Sequence, residues 1–167
     1  MAYAQQPAVS EYELKAVYLY NFLQFIQWPE ASRDIAKDGS LVIGIVGDSP
    51  FGTALEALQS DVRTNGLKPI KIINYGPYRD DMNLRTCQLL FISSTEKRNF
   101  TRIIAGLRGA PVLTVAETEG FVSSGGMIGL INSKGKIRWV INRTQTDKAG
   151  LKLNSQLLNI AAKVIEE

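Results

Sequence analysis

The chain has 167 residues, no histidine and a single cysteine, Cys87. These absences exclude Ser-His-Asp and Cys-His charge systems, His-ligated zinc, a thiolate cage and an internal disulfide. At 45% hydrophobic, 21% charged and a net charge of +3, the composition is that of an ordinary globular domain, with too little positive charge to argue for nucleic acid. A chain of this length buries roughly 70% of its unfolded surface, enough for a core without metals or crosslinks.

Residues 1–10 lack periodicity and read as a mobile tail. Ala2-Tyr3-Ala4 before Gln5-Gln6 has the small-x-small form that signal peptidase leaves behind. This predicts an exported, periplasmic protein, with Met1 an added start residue in place of a removed leader. No apolar run approaches the roughly 18–20 residues that span a bilayer, so no membrane-embedded segment is expected.

Leu14, Val17, Tyr18, Asn21, Phe22, Phe25 and Ile26 recur at three- and four-residue steps, which predicts a helix over 11–27 with that stripe facing the core. Trp28-Pro29 ends it, because the residue before proline leaves the helical region. Leu41–Gly47 is a continuous apolar run ending in glycine, the pattern of a strand covered on both faces. A helix is expected over 51–60, a turn at Asn65-Gly66, a strand over 69–74 and a short helix near Asp80–Leu84. Residues 87–92 read as a third strand. Ser93-Ser94-Thr95-Glu96 then has capping-box spacing ahead of a helix carrying Phe100, Ile103, Ile104 and Leu107, with Gly109 as its stop. Val112–Val115 is the fourth strand. Residues 127–132 and 136–142 flank Ser133-Lys134-Gly135 as a hairpin, with Ile137, Trp139 and Ile141 on its dry side. Asn154 or Ser155 caps a last helix presenting Leu157, Leu158, Ala161, Val164 and Ile165.

Helices alternating with buried strands predict an α/β fold: a three-layer α/β/α sandwich, flavodoxin- or receiver-like. Its sheet is expected to be mostly parallel, of about six strands, with a C-terminal antiparallel hairpin at the edge. Residues 11–167 form one domain.

In such folds ligands gather beyond the carboxyl ends of the strands. Gly47–Gly52, Ser93-Ser94-Thr95, Thr114 and Ser124-Gly125-Gly126 are expected there. Between residues 134 and 152, Lys134, Lys136, Arg138, Arg143, Lys148 and Lys152 face only Asp147. This stretch reads as a solvated face or a patch for an acidic partner. The candidate partner- or ligand-binding residues are therefore Asp48, Phe51, Ser93, Thr114, Gly126, Arg138 and Arg143, chosen because loops on a rigid scaffold carry function. GxGxxG, Walker and GxSxG sequences are missing. Asp48 stands alone after the first strand and the third ends in Ser93, which disfavours phosphotransfer. Glu117 with Glu119, and Asp80 with Asp81, read as solvated loop carboxylates, and Cys87 as a buried, inert thiol. Catalytic residues, metal ligands and cofactors are not expected.

The chain resembles the YfiR family of bacterial periplasmic regulators. The matching segments are Lys15–Phe22 with Trp28-Pro29, Ile43–Phe51, Cys87–Ser93, Pro111–Val115, Gly120-Phe121 with Gly125–Ile128, Ile141–Arg143, Ala149–Leu151 and Ser155–Leu158. The resemblance implies a non-enzymatic inhibitor that binds the periplasmic sensor domain of an inner-membrane diguanylate cyclase and lowers cyclic-di-GMP. It also implies release when an OmpA-like outer-membrane lipoprotein sequesters the inhibitor. Members of the family often carry a cysteine where this chain has Gly44, and others near the C-terminus. Cys87 here lacks that partner, so redox control does not carry over. The hairpin edge invites pairing with a second copy. The rival readings are a periplasmic small-ligand sensor and an enzyme built on Glu117, Glu119 or Ser93.

Overall fold

The computed structural model describes residues 10–33 and 35–166. The expected leader-derived tail lies outside the described residues, apart from Ser10. In chain order the elements are α1 (Glu11–Gln24), β1 (Ile26–Gln27), α2 (Glu30–Arg33), β2 (Leu41–Val46), α3 (Ala54–Thr64), β3 (Ile70–Gly76), β4 (Leu89–Ile92), α4 (Phe100–Gly106), β5 (Leu113–Ala116), β6 (Ile128–Ser133), β7 (Lys136–Asn142), α5 (Arg143–Lys148), β8 (Lys152–Leu153), α6 (Ser155–Ile160) and β9 (Lys163–Ile165).

The main sheet has seven strands in the order β3-β2-β4-β5-β6-β7-β9. Its first five are parallel, and β7 runs antiparallel to β6. Counting those five in chain order gives 2-1-3-4-5, the order of flavodoxin-like doubly wound sheets. Strand residues alternate between two cores, as a period of two requires. Ile43 and Ile45 of β2 meet Ala16, Leu19 and Phe22 of α1 and Leu55 of α3. Val42 and Val46 face the opposite layer, with Ile103 of α4 and Leu107. The α/β three-layer expectation is borne out, and the hairpin turns through Lys134 and Gly135 at φ 51° and 77°, the left-handed pair a tight hairpin needs.

Several local expectations change. The buried face of α1 is Lys15, Ala16, Leu19, Tyr20, Phe22 and Leu23, rotated from the predicted stripe; Val17 is 40% exposed. The helix stops at Gln24 because Ile26–Gln27 pairs antiparallel with Lys152–Leu153. The second helix begins at Ala54 rather than Phe51, since Gly52 takes a left-handed φ of 55° that breaks the helical path. No helix forms near Asp80–Leu84. There Asn83 Oδ1 accepts from Arg85 N and Asp80 pairs with Arg102, and such local side-chain bonds compete with helix.

The capping box is not closed either. Ser93 Oγ accepts from Thr95 N, but Ser93 N donates to Val46 O, and Glu96 turns instead to Tyr78 N and Asn99 Nδ2. The final helix ends at Ile160. Val164 and Ile165 lie in β9, parallel to β7, so the hairpin is not the sheet edge and β7 is covered along Val140–Asn142. β-Branched residues beside an unpaired strand favour that outcome.

Candidate functional site

At the carboxyl ends of β2 and β4 the chain closes upon itself. Thr95 Oγ1 accepts from Asp48 N at 3.0 Å and donates to Ser93 Oγ at 3.2 Å. Phe51 is 3% exposed and stacks edge-on against Phe91 at 4.9 Å and Tyr12 at 5.7 Å. Asp48 and Thr95 are exposed, whereas Phe51 and Ser93 are buried. Phe51 and Ser93 are committed to internal packing and hydrogen bonding, and their side chains offer no surface to a partner.

Thr114 and Gly126 do not join them. Thr114 is the second residue of β5 and Gly126 precedes β6, so both stand near the amino ends of parallel strands, opposite to the expected location. Thr114 Oγ1 accepts from Met127 N at 3.1 Å, and the Phe121 ring covers Gly126 so closely that a Cβ there would lie 2.3 Å from it. Thr114 lines a cavity of about 580 Å³ with Ile104, Leu107 and Met127, bordered by Arg108, Gln145 and Lys148.

The basic stretch is divided along β7. Lys134, Lys136 and Arg138 are exposed on the hairpin, at the carboxyl end of the sheet. Arg143 is at the other end of β7 and pairs with Glu166 at 3.1 Å. Lys148 borders the Thr114 cavity.

Glu117, one of the imagined acid–base carboxylates, is an anchor. It accepts from Lys15 Nζ at 2.5 Å and from Tyr12 Oη at 2.8 Å. Burial, then the Glu117 bond and its charge, push the Tyr12 phenol up to about 12. Burial also pushes the Cys87 thiol up to about 12, keeping it protonated and poorly nucleophilic.

A further concave surface, between α1 and the hairpin, was not anticipated as such. Rotation of α1 leaves Leu14, Val17 and Tyr18 partly or fully exposed, and Leu14 and Tyr18 form a groove with Ile137, Trp139 and Ile160. Its volume is about 560 Å³ and its border carries Glu11, Lys136 and Arg138. Trp139 packs edge-on against Tyr18 at 5.1 Å and Phe22 at 5.3 Å. The sequence signal was Lys15: a lysine among Ala16, Leu19 and Phe22 marks a face that needs a buried anion, and hence a different stripe turned outward.

Fold and surfaces together define a doubly wound α/β domain with an enlarged, mixed sheet and several concave surfaces, the Thr114 cavity and the Trp139 groove among them. Comparison with known families narrows the class. The sequence profile of the YfiR/HmsC-like family matches residues 12–162, and the chain belongs to that family. No curated protein matches it. Among solved structures, a conserved domain protein from Vibrio cholerae is similar at 14% identity with a TM-score of 0.62, over 93% of this chain and 60% of that one. The ABC domain in complex with L-Trp from Streptococcus pneumonia is similar at 13% identity and 0.54, over 75% of this chain and 55% of that one. These likenesses show the fold, and the chain spans less than two thirds of either neighbour. Among the described residues no helix is long and apolar enough to cross a membrane.

Proposed function

We propose that this protein is a periplasmic regulator that binds the periplasmic sensor domain of an inner-membrane diguanylate cyclase and holds cyclic-di-GMP synthesis low. One observation carries the reading: the YfiR/HmsC-like profile extends over residues 12–162, from α1 past the end of α6, and so takes in every element but the edge strand β9. The chemistry is compatible, since the strand-end serine and threonine and the Glu117 carboxylate are consumed by internal bonds. Such a regulator converts no substrate. It acts by preferring the inactive sensor conformation, and moving a two-state equilibrium from 1:99 to 99:1 takes about 5.5 kcal/mol of differential binding. An OmpA-like outer-membrane lipoprotein competing for the regulator would relieve the inhibition. Deleting the gene from its native host is expected to raise cyclic-di-GMP and surface attachment; an unchanged level overturns the reading.

A second reading, a small-ligand sensor, is favoured by the Thr114 cavity, whose size suits a metabolite and whose border holds Arg108 and Lys148 with no acidic side chain. A ligand at a hundred times its dissociation constant adds about 2.7 kcal/mol of stability. A thermal-shift panel of small carboxylic and amino acids tests it, and a panel without a hit retires it.

A further inference from the structure

The groove between α1 and the hairpin carries an unmet demand. Trp139 is 8% exposed, and its indole Nε1 is buried without a hydrogen-bond partner among the described residues. The other tryptophan, Trp28, donates its Nε1–H to Leu23 O at 3.0 Å. Buried donors are nearly always satisfied, so one left open in the wall of a groove marks a place where an acceptor is missing. Ile160, 55% exposed, is the most exposed of the large apolar side chains that line the groove.

Charge points the same way. Lys136 and Arg138 on the border, and Lys134 at the hairpin tip, form no ion pair among the described residues. The one acid in the lining, Glu11, is already paired with Lys15 at 3.5 Å. Tryptophan, tyrosine and arginine around an apolar floor form the composition that dominates protein-binding hot spots. β9 pairs with β7 only along Val140–Asn142, which leaves Lys136–Arg138, the stretch beside the groove, without that neighbour.

We propose that this groove docks an extended acidic segment of a partner protein, whose backbone carbonyl accepts the Trp139 N–H and whose carboxylates meet Lys136 and Arg138. The proposal rests on the protein-binding reading above and gives it a surface. A concave floor with one directional donor suits a polypeptide better than a bilayer, which meets convex surfaces.

The test uses the full chain labelled with ¹⁵N at its two indoles, titrated with dodecapeptides alternating glutamate with leucine, valine or phenylalanine. The Trp139 resonance is expected to shift while that of Trp28 stays. K136E/R138E is expected to weaken binding at least tenfold, and Arg108→Glu, on the other cavity, to leave it unchanged. Benzothienylalanine incorporated at position 139 keeps the bicyclic ring and replaces only the N–H with sulfur; it is expected to keep the melting temperature and weaken the peptide. No shift of Trp139 at millimolar peptide, or full affinity in K136E/R138E, overturns the proposal. A shift produced by phosphatidylglycerol vesicles and not by peptide assigns the groove to lipid and also overturns it. A deletion host separates the two claims. If deletion raises cyclic-di-GMP and K136E/R138E represses as well as wild type, the groove is wrong and the regulator stands. If deletion changes nothing, the regulator reading fails, and the peptide titration still judges the groove.

Discussion

Lys15 in α1 and Glu117 just past β5 are 102 positions apart in sequence and form a buried ion pair, Nζ to Oε2 2.5 Å. The lysine side chain is 7% exposed and the glutamate 16%. Tyr12 donates to the second carboxylate oxygen and places its ring 4.6 Å from the ammonium. This cluster fixes the start of α1 over the carboxyl end of the sheet, and so fixes one wall of the Trp139 groove.

Removing Glu117 leaves the buried Lys15 ammonium with only its longer contact to Glu11, and removing Lys15 leaves the part-buried Glu117 carboxylate with only the Tyr12 hydroxyl. Lys15→Ala or Glu117→Ala is expected to lower stability, by less than the roughly 3–5 kcal/mol of a fully uncompensated buried charge. Lys15→Met combined with Glu117→Leu should cost less than either of these two substitutions made alone. Urea denaturation of the double-mutant cycle measures the difference; additive losses would show that the pair is not coupled.

Gly44 lies over Cys87. A β-carbon on Gly44 would stand 3.3 Å from the Cys87 Cβ and 3.0 Å from its sulfur, but only 2.5 Å from the Tyr75 ring edge. Disulfide β-carbons sit about 3.5–4.5 Å apart, so the site is nearly right for a bridge and is blocked by the tyrosine. Gly44→Cys alone is expected to destabilise, as overpacking does by about 1–3 kcal/mol. Gly44→Cys with Tyr75→Ala is expected to form the Cys87 crosslink, seen as lost free thiol after denaturation. Persistent free thiol in the double variant would show that the backbone cannot accommodate the bridge.

Alkaline pH should weaken the fold. Burial raises the Cys87 thiol from 9.0 to about 12, and burial with Glu117 raises Tyr12 from 10.0 to about 12. The unfolded chain therefore releases these protons first. Their effect on stability is flat below about pH 9 and becomes a loss between pH 9 and 12. Denaturation midpoints across that window measure it, and Cys87→Ala should flatten the lower part. At pH 8 a thiol reagent should titrate nothing in the native protein and one group in denaturant.

β9 shields β7 through the pairs Val140–Lys163, Ile141–Val164 and Asn142–Ile165. A chain stopped after Ile160 exposes that edge and is expected to self-associate, since open edges template pairing. Sedimentation at increasing concentration reads the association. A truncated chain that stays monomeric at full stability would show that β9 contributes no protection.

Arg143 and Glu166 pair in the open, with side chains 48% and 62% exposed. Arg143→Ala should change stability by less than about 1 kcal/mol. If it also leaves cyclic-di-GMP control untouched while K136E/R138E abolishes it, the two ends of the basic stretch differ in role.

Much of the sheet was legible because β2, β4 and β5 are covered on both faces, and such strands are written as short continuous apolar runs. Leu41–Val46 needs no partner to be recognised. The hairpin was legible because Lys134-Gly135 suits a left-handed turn between alternating segments. The face of α1 was not. That helix is apolar around most of its circumference, so Leu14, Val17 and Tyr18 competed on equal terms with Ala16, Leu19 and Leu23. The C-terminus failed for another reason: Val164 and Ile165 fit a helical stripe until the open edge of β7 is placed beside them.

The positions of the candidate residues depended on direction as well as element. Thr114 and Gly126 were assigned to real segments but to the wrong end, because a residue at the start of a parallel strand looks in sequence like one at its finish. The sequence by itself determined the family, the alternation of helices with covered strands and the composition of the core, since these follow from local apolar pattern and ordered short segments. Only the tertiary structure decided which side of α1 is wet, where Lys15 finds its anion and why Trp139 has no acceptor. Each of those depends on groups that meet across dozens of residues, and burial acts on the folded neighbourhood rather than on the order of the chain.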